Sequence, residues 1–379
     1  MESFSAESDV LAEIPAALLT RFRAGMVIPA VPLALSPPAT GPRARSRFDM
    51  RRQAALLRYY IDAGAGGLAV GVHTTQFAIR DPRWGLFEPV LQFASAEIDA
   101  WCGRTGRQVL KVAGICGGTS QAVYEAVFAR RAGYHAGLVS LSAFKDEGGG
   151  SANSPRVLIE HCREVGEVLP IIGFYLQPAV GGRLLPYAFW REAAELERLI
   201  GVKIAPFNRY QTLDVVRAVC DAGQQERVSL YTGNDDHIVD DLVTPFIFRS
   251  SGETVTARMV GGLLGQWAVW TRAAVALLDE IHALIRTDSA IPSELLARGI
   301  QLTDANAAIF DAAHGFAGCI PGIHEVLRRQ GLLAGTWCLD EEEVLSSGQA
   351  DEIARVSAAY PELADDAFVA EHLDRWLAH

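Results

Sequence analysis

The sequence predicts a (β/α)8 barrel followed by a C-terminal helical extension. Three observations carry that prediction. Short apolar runs alternate with helix-periodic segments about eight times over roughly 260 residues, the count and length of such a barrel. The runs are apolar almost throughout, as expected of parallel strands covered on both faces. The first strand-to-helix turn has no G-x-G-x-x-G, the mark of a doubly wound open sheet, which usually offers five to seven strands. The boundaries that follow are 1–285 for the barrel, with a short N-terminal lead-in, and 286–379 for the extension.

In chain order, the apolar runs place strands at 26–33, 67–72, 108–113, 136–140, 170–175, 201–205, 228–232 and 255–259. Helices fall between them at 50–63, 119–132, 155–168, 187–199 and 211–222. In the first of these, Ala54, Leu57, Tyr60 and Ile61 recur at three- and four-residue steps, an apolar stripe that faces a sheet. Residues 265–285 are long and apolar enough to close the barrel. Beyond them, helical patterns lie near 292–312, 321–329, 348–359 and 366–377. The acidic run Asp340-Glu341-Glu342-Glu343 reads as solvated surface. The polar loop 145–155, with Gly148-Gly149-Gly150, reads equally as a mobile lid or as a long exposed connection.

Composition narrows the function. The chain has 379 residues, 50% hydrophobic and 21% charged, with mean hydropathy +0.15, enough apolar content for a large core. Its 35 glycines suit many tight strand-to-helix turns. A net charge of −11 and a pI near 5.3 argue against nucleic acid or an anionic membrane as partner. Apolar runs break too early to span a bilayer. The acidic start Met1-Glu2-Ser3 lacks the order of a signal peptide. Six scattered cysteines without a C-x-x-C pair read as reduced thiols, which points to the cytoplasm.

Lys203 is the residue that suggests chemistry. It lies in Gly201-Val202-Lys203-Ile204-Ala205, among apolar and small neighbours. Burial without a partner disfavours an ammonium, and a neutral lysine amine attacks carbonyls to form a Schiff base. Tyr175 ends the preceding strand. The C-terminal ends of barrel strands carry the chemistry, so the two are expected to converge, with the phenol carrying protons. After the second strand come His73, Thr74, Thr75 and Gln76. Their hydroxyls and backbone N–H groups suit a substrate carboxylate, or else the threonines bond their own backbone. Cys116, after the third strand, reads as a small buried thiol. His135, His161, His282, His314, His324 and His372 read as solvated or locally bonded.

In the order and spacing of these segments, the chain resembles the dihydrodipicolinate synthase / N-acetylneuraminate lyase family of Schiff-base barrels, from about residue 25 to 285. The markers are Ile28-Pro29-Ala30, Phe48-Asp49, Gly67 to Thr74, Tyr175-Leu176-Gln177-Pro178, Gly201-Val202-Lys203 and Gly233-Asn234-Asp235. Tyr175 and Lys203 stand 28 residues apart, which fits the family. The resemblance implies that Lys203 forms the imine with a 2-oxo acid such as pyruvate, that Tyr175 relays protons, and that Thr74 helps bind the carboxylate. His73, Thr75, Phe144 and Gly233 complete the substrate site. It implies no cofactor, no metal, and a homo-oligomer, dimer or tetramer. The departures are His73 for a hydroxyl residue, Thr75 for a glycine, Phe144 for a tyrosine, Val180 for an arginine with Arg183 nearby, and Ile204 for an acidic residue. Changing buried polar groups changes the substrate. The expectation is therefore a lyase of aldolase or dehydratase type with a different second substrate.

Two other readings remain at this point. One is a metal-dependent barrel enzyme using Asp235, Asp236 and His237, perhaps with His73, although Asp236 and His237 also suit the start of a helix. The other is a barrel without catalysis that binds a partner.

Overall fold

The computed structural model describes residues 14–37, 47–144, 154–250 and 252–378. The glycine-rich loop singled out above falls mostly outside them. Strands in chain order are β1 Val27–Pro29, β2 Leu35–Ser36, β3 Arg47–Phe48, β4 Gly67–Val70, β5 Leu110–Ile115, β6 Ala136–Val139, β7 Ile171–Leu176, β8 Leu199–Ala205, β9 Ser229–Thr232, β10 Phe246–Ser250, β11 Glu253–Ala257 and β12 Met259–Leu264. Helices are α1 Ala16–Ala24, α2 Met50–Ala63, α3 Phe87–Thr105, α4 Thr119–Arg131, α5 Pro155–Val168, α6 Tyr187–Ala193, α7 Arg209–Asp221, α8 Ile238–Val243, α9 Thr271–Arg286, α10 Ser293–Ile309, α11 Cys319–Arg329, α12 Gln349–Ala359 and α13 Asp366–Leu377.

Eight of the described strands form one sheet in the order β1-β12-β9-β8-β7-β6-β5-β4. The bridge Ala30↔Ala69 joins its two ends, with the Val31 N–H donating to the Ala69 carbonyl at 2.8 Å. This is the predicted (β/α)8 barrel. By internal contacts the chain divides into two units, Met1–Gly25 with Leu110–Tyr231 and Pro245–Gly261, and Met26–Val109 with Thr232–Thr244 and Gly262–His379. Among the described residues, no helix is long and apolar enough to cross a membrane.

Local chemistry explains the helix starts. Asp49 accepts from the Arg52 N–H at 3.0 Å to cap α2, and Gly64 closes that helix in the left-handed conformation. Ser154 caps α5, with Pro155 in its first turn. Asn208 accepts from the N–H groups of Tyr210 and Gln211 to start α7.

In the first unit, α1 was not anticipated. Its Phe22 ring stacks on Tyr231 at 4.7 Å, and the Tyr231 hydroxyl donates to the Phe22 carbonyl at 2.6 Å. Gly201 admits this contact, because a Cβ there would sit 3.0 Å from the Phe22 ring and 2.8 Å from the Ser229 carbonyl. One expected barrel strand is corrected. Residues 255–259 fall largely on β11, which pairs antiparallel with β10 and is mostly exposed. The eighth barrel strand is β12. Its Gly261-Gly262 hides the β-branched signal that Thr254-Val255-Thr256 displays. Gly262 cannot carry a side chain, since a Cβ would lie 2.6 Å from the Trp267 ring. Two helices are shorter than expected. The helix over 187–199 ends at Ala193 and leaves Leu199 to β8. The closing helix begins at Thr271, after a break where Trp270 takes φ +54°.

In the second unit, the C-terminal helices dock on α2 and the start of α9. Tyr59 on α2 donates to Asp365 at 2.7 Å while accepting from the Thr271 N–H at 2.8 Å. Arg58 donates to the Trp376 carbonyl at 2.6 Å, and the Trp376 indole N–H donates to Asp62 at 2.7 Å. Asp340, Glu341 and Glu342 are exposed as expected. Glu343 is half-buried, and burial together with the Asp340 charge pushes its carboxyl up to about 7.

Candidate active site

Lys203 occupies the fifth position of β8 and is 7% exposed. Its ladder partner on β7 is Phe174, and the amine stands 4.6 Å from the centre of that ring. In-register neighbours leave a sheet on the same face, and successive residues on opposite faces. Tyr175, paired with Ile204, therefore projects from the face opposite Lys203. Its surroundings agree. The Tyr175 ring packs on Trp190 of α6 at 5.5 Å, and Gly173, two residues earlier, faces the same indole. The Tyr175 hydroxyl accepts from the Leu185 N–H at 3.3 Å. Burial raises its pKa, with the Asp214 charge on α7 adding to the rise. The two residues expected to converge do not share a face, because residue spacing does not reveal the strand register.

The same ladder brings up Ser140 and Phe174, which the sequence reading missed, beside Cys116, which it took for a small buried thiol. Ile115 pairs with Val139, and Val139 with Gly173. One step further along, Cys116, Ser140 and Phe174 come level with Lys203, and the Ser140 N–H still donates to the Ile115 carbonyl at 2.9 Å. Ser140 is 3% exposed, and its hydroxyl lies 3.0 Å from that of the half-buried Ser142. The backbone N–H of Cys116 donates to Glu125, a buried carboxylate on α4. Lys111 is buried as well, but it is the second residue of β5, near the end of the strand away from Cys116. A further sequence signal was available. Only three of the chain's 34 lysines and arginines are lysines, namely Lys111, Lys145 and Lys203. Lysine and arginine are not interchangeable, because only the lysine amine loses its proton readily when buried.

Phe144, half-buried, sits between two groups. Arg183 donates to its carbonyl oxygen, and its ring meets His161 edge-on at 4.8 Å. The arginine considered as a substitute carboxylate ligand thus joins the segment after β7 to the one after β6. His161 is 1% exposed with Nδ1 3.0 Å from the Thr119 hydroxyl, and burial pushes its pKa down to about 4. It is locally bonded rather than solvated.

In the second unit, the turn after β4 contains His73, Thr74 and Thr75. The Thr74 hydroxyl donates to the Ala30 carbonyl at 2.8 Å. The Thr75 hydroxyl donates to the Val31 carbonyl at 2.7 Å and accepts from the Gly71 and Val72 N–H groups at 3.0 and 3.3 Å. Both hydroxyl protons are committed to backbone, but to the segment after β1 rather than to the turn's own backbone, which only Thr75 serves, as an acceptor. His73 is half-buried, with its ring 5.8 Å from Phe77. Gly233 lies in a turn braced by Asp241, which accepts from the Thr232 hydroxyl at 2.6 Å and the Asn234 amide at 2.9 Å. Asp235 accepts from the Gln266 N–H at 2.9 Å, whereas His237, at the start of α8, turns its ring to Asp240 at 3.1 Å. Asp235 and His237 therefore have separate partners. Among the described residues, no group of three potential ligands is placed to hold a metal ion.

No protein-family model and no curated protein matches the sequence. Solved structures do match in shape. The fold is that of dihydrodipicolinate synthase. The prophage protein YagE of E. coli K12, a member of the dihydrodipicolinic acid synthase family solved in complex with pyruvate, is 19% identical with a TM-score of 0.65, over 89% of this chain and 97% of its own. The Cyanidioschyzon merolae synthase with lysine bound gives 15% and 0.66, over 90% and 99%. N-acetylneuraminate lyase from Fusobacterium nucleatum gives 16% and 0.64, over 89% and 99%. The likeness extends the resemblance read in the sequence to the whole barrel fold.

Proposed function

We propose that this chain is a divergent member of the dihydrodipicolinate synthase / N-acetylneuraminate lyase family, a lyase of aldolase or dehydratase type. In this reading Lys203 forms a Schiff base with a 2-oxo acid such as pyruvate. The observation that carries the proposal is the buried Lys203 on β8 with its amine against the Phe174 ring. Burial on an apolar strand disfavours the ammonium and so favours the amine's use as a nucleophile. The pyruvate complex of YagE, a protein of the same fold, supports a small 2-oxo acid as substrate. A second substrate different from that of the synthases is supported by Phe144 in place of a tyrosine and by Arg183 bonded to the Phe144 carbonyl.

The test is reduction with borohydride in the presence of pyruvate and a panel of larger 2-oxo acids, followed by peptide mass mapping. With three lysines in the chain, the modified position is unambiguous. An adduct on Lys203 is the expected result. Labelling only at Lys111 or Lys145, or none with any acid, ends the proposal.

A further inference from the structure

We propose that Ser140, with Ser142 behind it, carries the protons for imine formation at Lys203, in the role that the sequence reading gave to Tyr175; the inference rests on the Schiff-base reading. Four observations lead to it. The ladder puts Ser140 level with Phe174 and Lys203, so their side chains share a face, while Tyr175 leaves the opposite one. The Lys203 amine lies over the Phe174 ring, on the strand between β8 and β6, so it leans towards Ser140. Adjacent strands are about 4.8 Å apart, so the two backbones are separated by about 10 Å. The lysine stem spans much of that distance, and a substrate on its amine spans the rest.

The third observation is the hydroxyl pair. Ser140 and Ser142 are 3.0 Å apart and share one hydrogen bond, so one of their two protons remains to be donated. Ser140 is buried and Ser142 half-buried, which makes a short path from the amine's face to solvent. The fourth is that the Tyr231 phenol is engaged elsewhere, donating to the Phe22 carbonyl, while Tyr175 is set aside by its face alone.

The chemistry balances. The amine lone pair forms a C–N bond to the 2-oxo carbon as the carbonyl π pair moves to oxygen. The ammonium proton passes through the Ser140 hydroxyl to that oxygen and gives the carbinolamine. The carbinolamine hydroxyl then takes one proton from solvent along Ser142 and Ser140 and leaves as water. The nitrogen lone pair closes the C=N bond, leaving a protonated iminium.

The experiment is a borohydride-quenched time course of pyruvate adduct on the full chain. Positioned proton transfer contributes about 100-fold or more. Ser140→Ala is expected to slow adduct formation by about that factor while reaching the same final adduct. Ser140→Thr, which keeps a hydroxyl, is expected to recover most of the rate. Should Ser140→Ala fail to fold, Ser142→Ala cuts the solvent end of the path and is expected to slow formation about tenfold. An adduct that forms at the wild-type rate in these variants overturns the relay and leaves the Schiff base standing. A wild-type chain that forms no adduct with any 2-oxo acid overturns both.

Discussion

Two regions at strand ends use their polar side chains in opposite ways. Level with Lys203, Ser140 and Ser142 bond to each other and retain a proton to give. In the turn after β4, Thr74 and Thr75 spend their hydroxyl protons on the carbonyls of Ala30 and Val31, and so fasten that turn to the segment after β1. The residue types are nearly the same. What separates them is the acceptor: another hydroxyl for the serine pair, and backbone carbonyls for Thr74 and Thr75. The β4 turn is built for rigidity, and in the proposed relay the Lys203 face serves exchange.

The largest expected effect is on the Lys203 side. Lys203→Arg keeps the charge and removes the nucleophile, so the trapped adduct should vanish and turnover should fall by about a thousandfold or more. Residual adduct at another lysine would place the chemistry elsewhere.

Next comes pH, acting once in each unit. His161 and His324 are each 1% exposed and pushed down to about 4, in both cases chiefly by burial. Unfolded, a histidine takes its proton near pH 6.5. Between about 6.5 and 4 the unfolded chain therefore binds more protons, and stability falls as pH falls. At pH 5 the loss is about 2 kcal/mol per histidine, set by the proton taken up on unfolding. Urea midpoints at pH 7 and pH 5 measure it. Replacing His161 by Phe, or His324 by Leu, should shrink that pH difference by about half. A difference that survives both changes would assign the acid sensitivity to other groups.

Thr75→Val tests the rigidity of the β4 turn. It removes one donor and one acceptor from buried backbone and should cost about 3 kcal/mol, read as a shift in the denaturant midpoint. A cost under about 0.5 kcal/mol would mean that the hydroxyl is not holding the turn.

The smallest effect is expected at Tyr175. Tyr175→Phe loses one long hydrogen bond to Leu185, about 1 kcal/mol, and should leave the rate of adduct formation within about twofold of wild type. A loss of a hundredfold in that rate would return the relay to Tyr175 and break the comparison drawn above.

Much of the fold was legible because it rests on local chemistry. The α2 and α5 spans coincide with their apolar stripes. The strand centres at β4, β6, β7 and β8 coincide with buried runs, broken only at Gly173 in β7. Glycine caused the main error, since Gly261-Gly262 makes β12 look like a turn while the exposed hairpin at β11 looks like a strand. The helix α3 went unread, although Trp101 and Ile98 on it are buried. At the site, Lys203 was legible as a charge in an apolar run, but its partner was not.

The sequence by itself determined the alternation of strand and helix, the position of the exceptional lysine, and the departures at Val72–Gln76 and Phe144. These follow from side-chain period and residue type, which are properties of the chain read in order. Only the tertiary structure decided which groups stand on the lysine's face. That depends on register, and a ladder shifted by one residue turns every side chain to the other side of the sheet. The irregularity between Ile171 and Ile172, where β7 meets β8, helps set that register, and it pairs Phe174 rather than Tyr175 with Lys203.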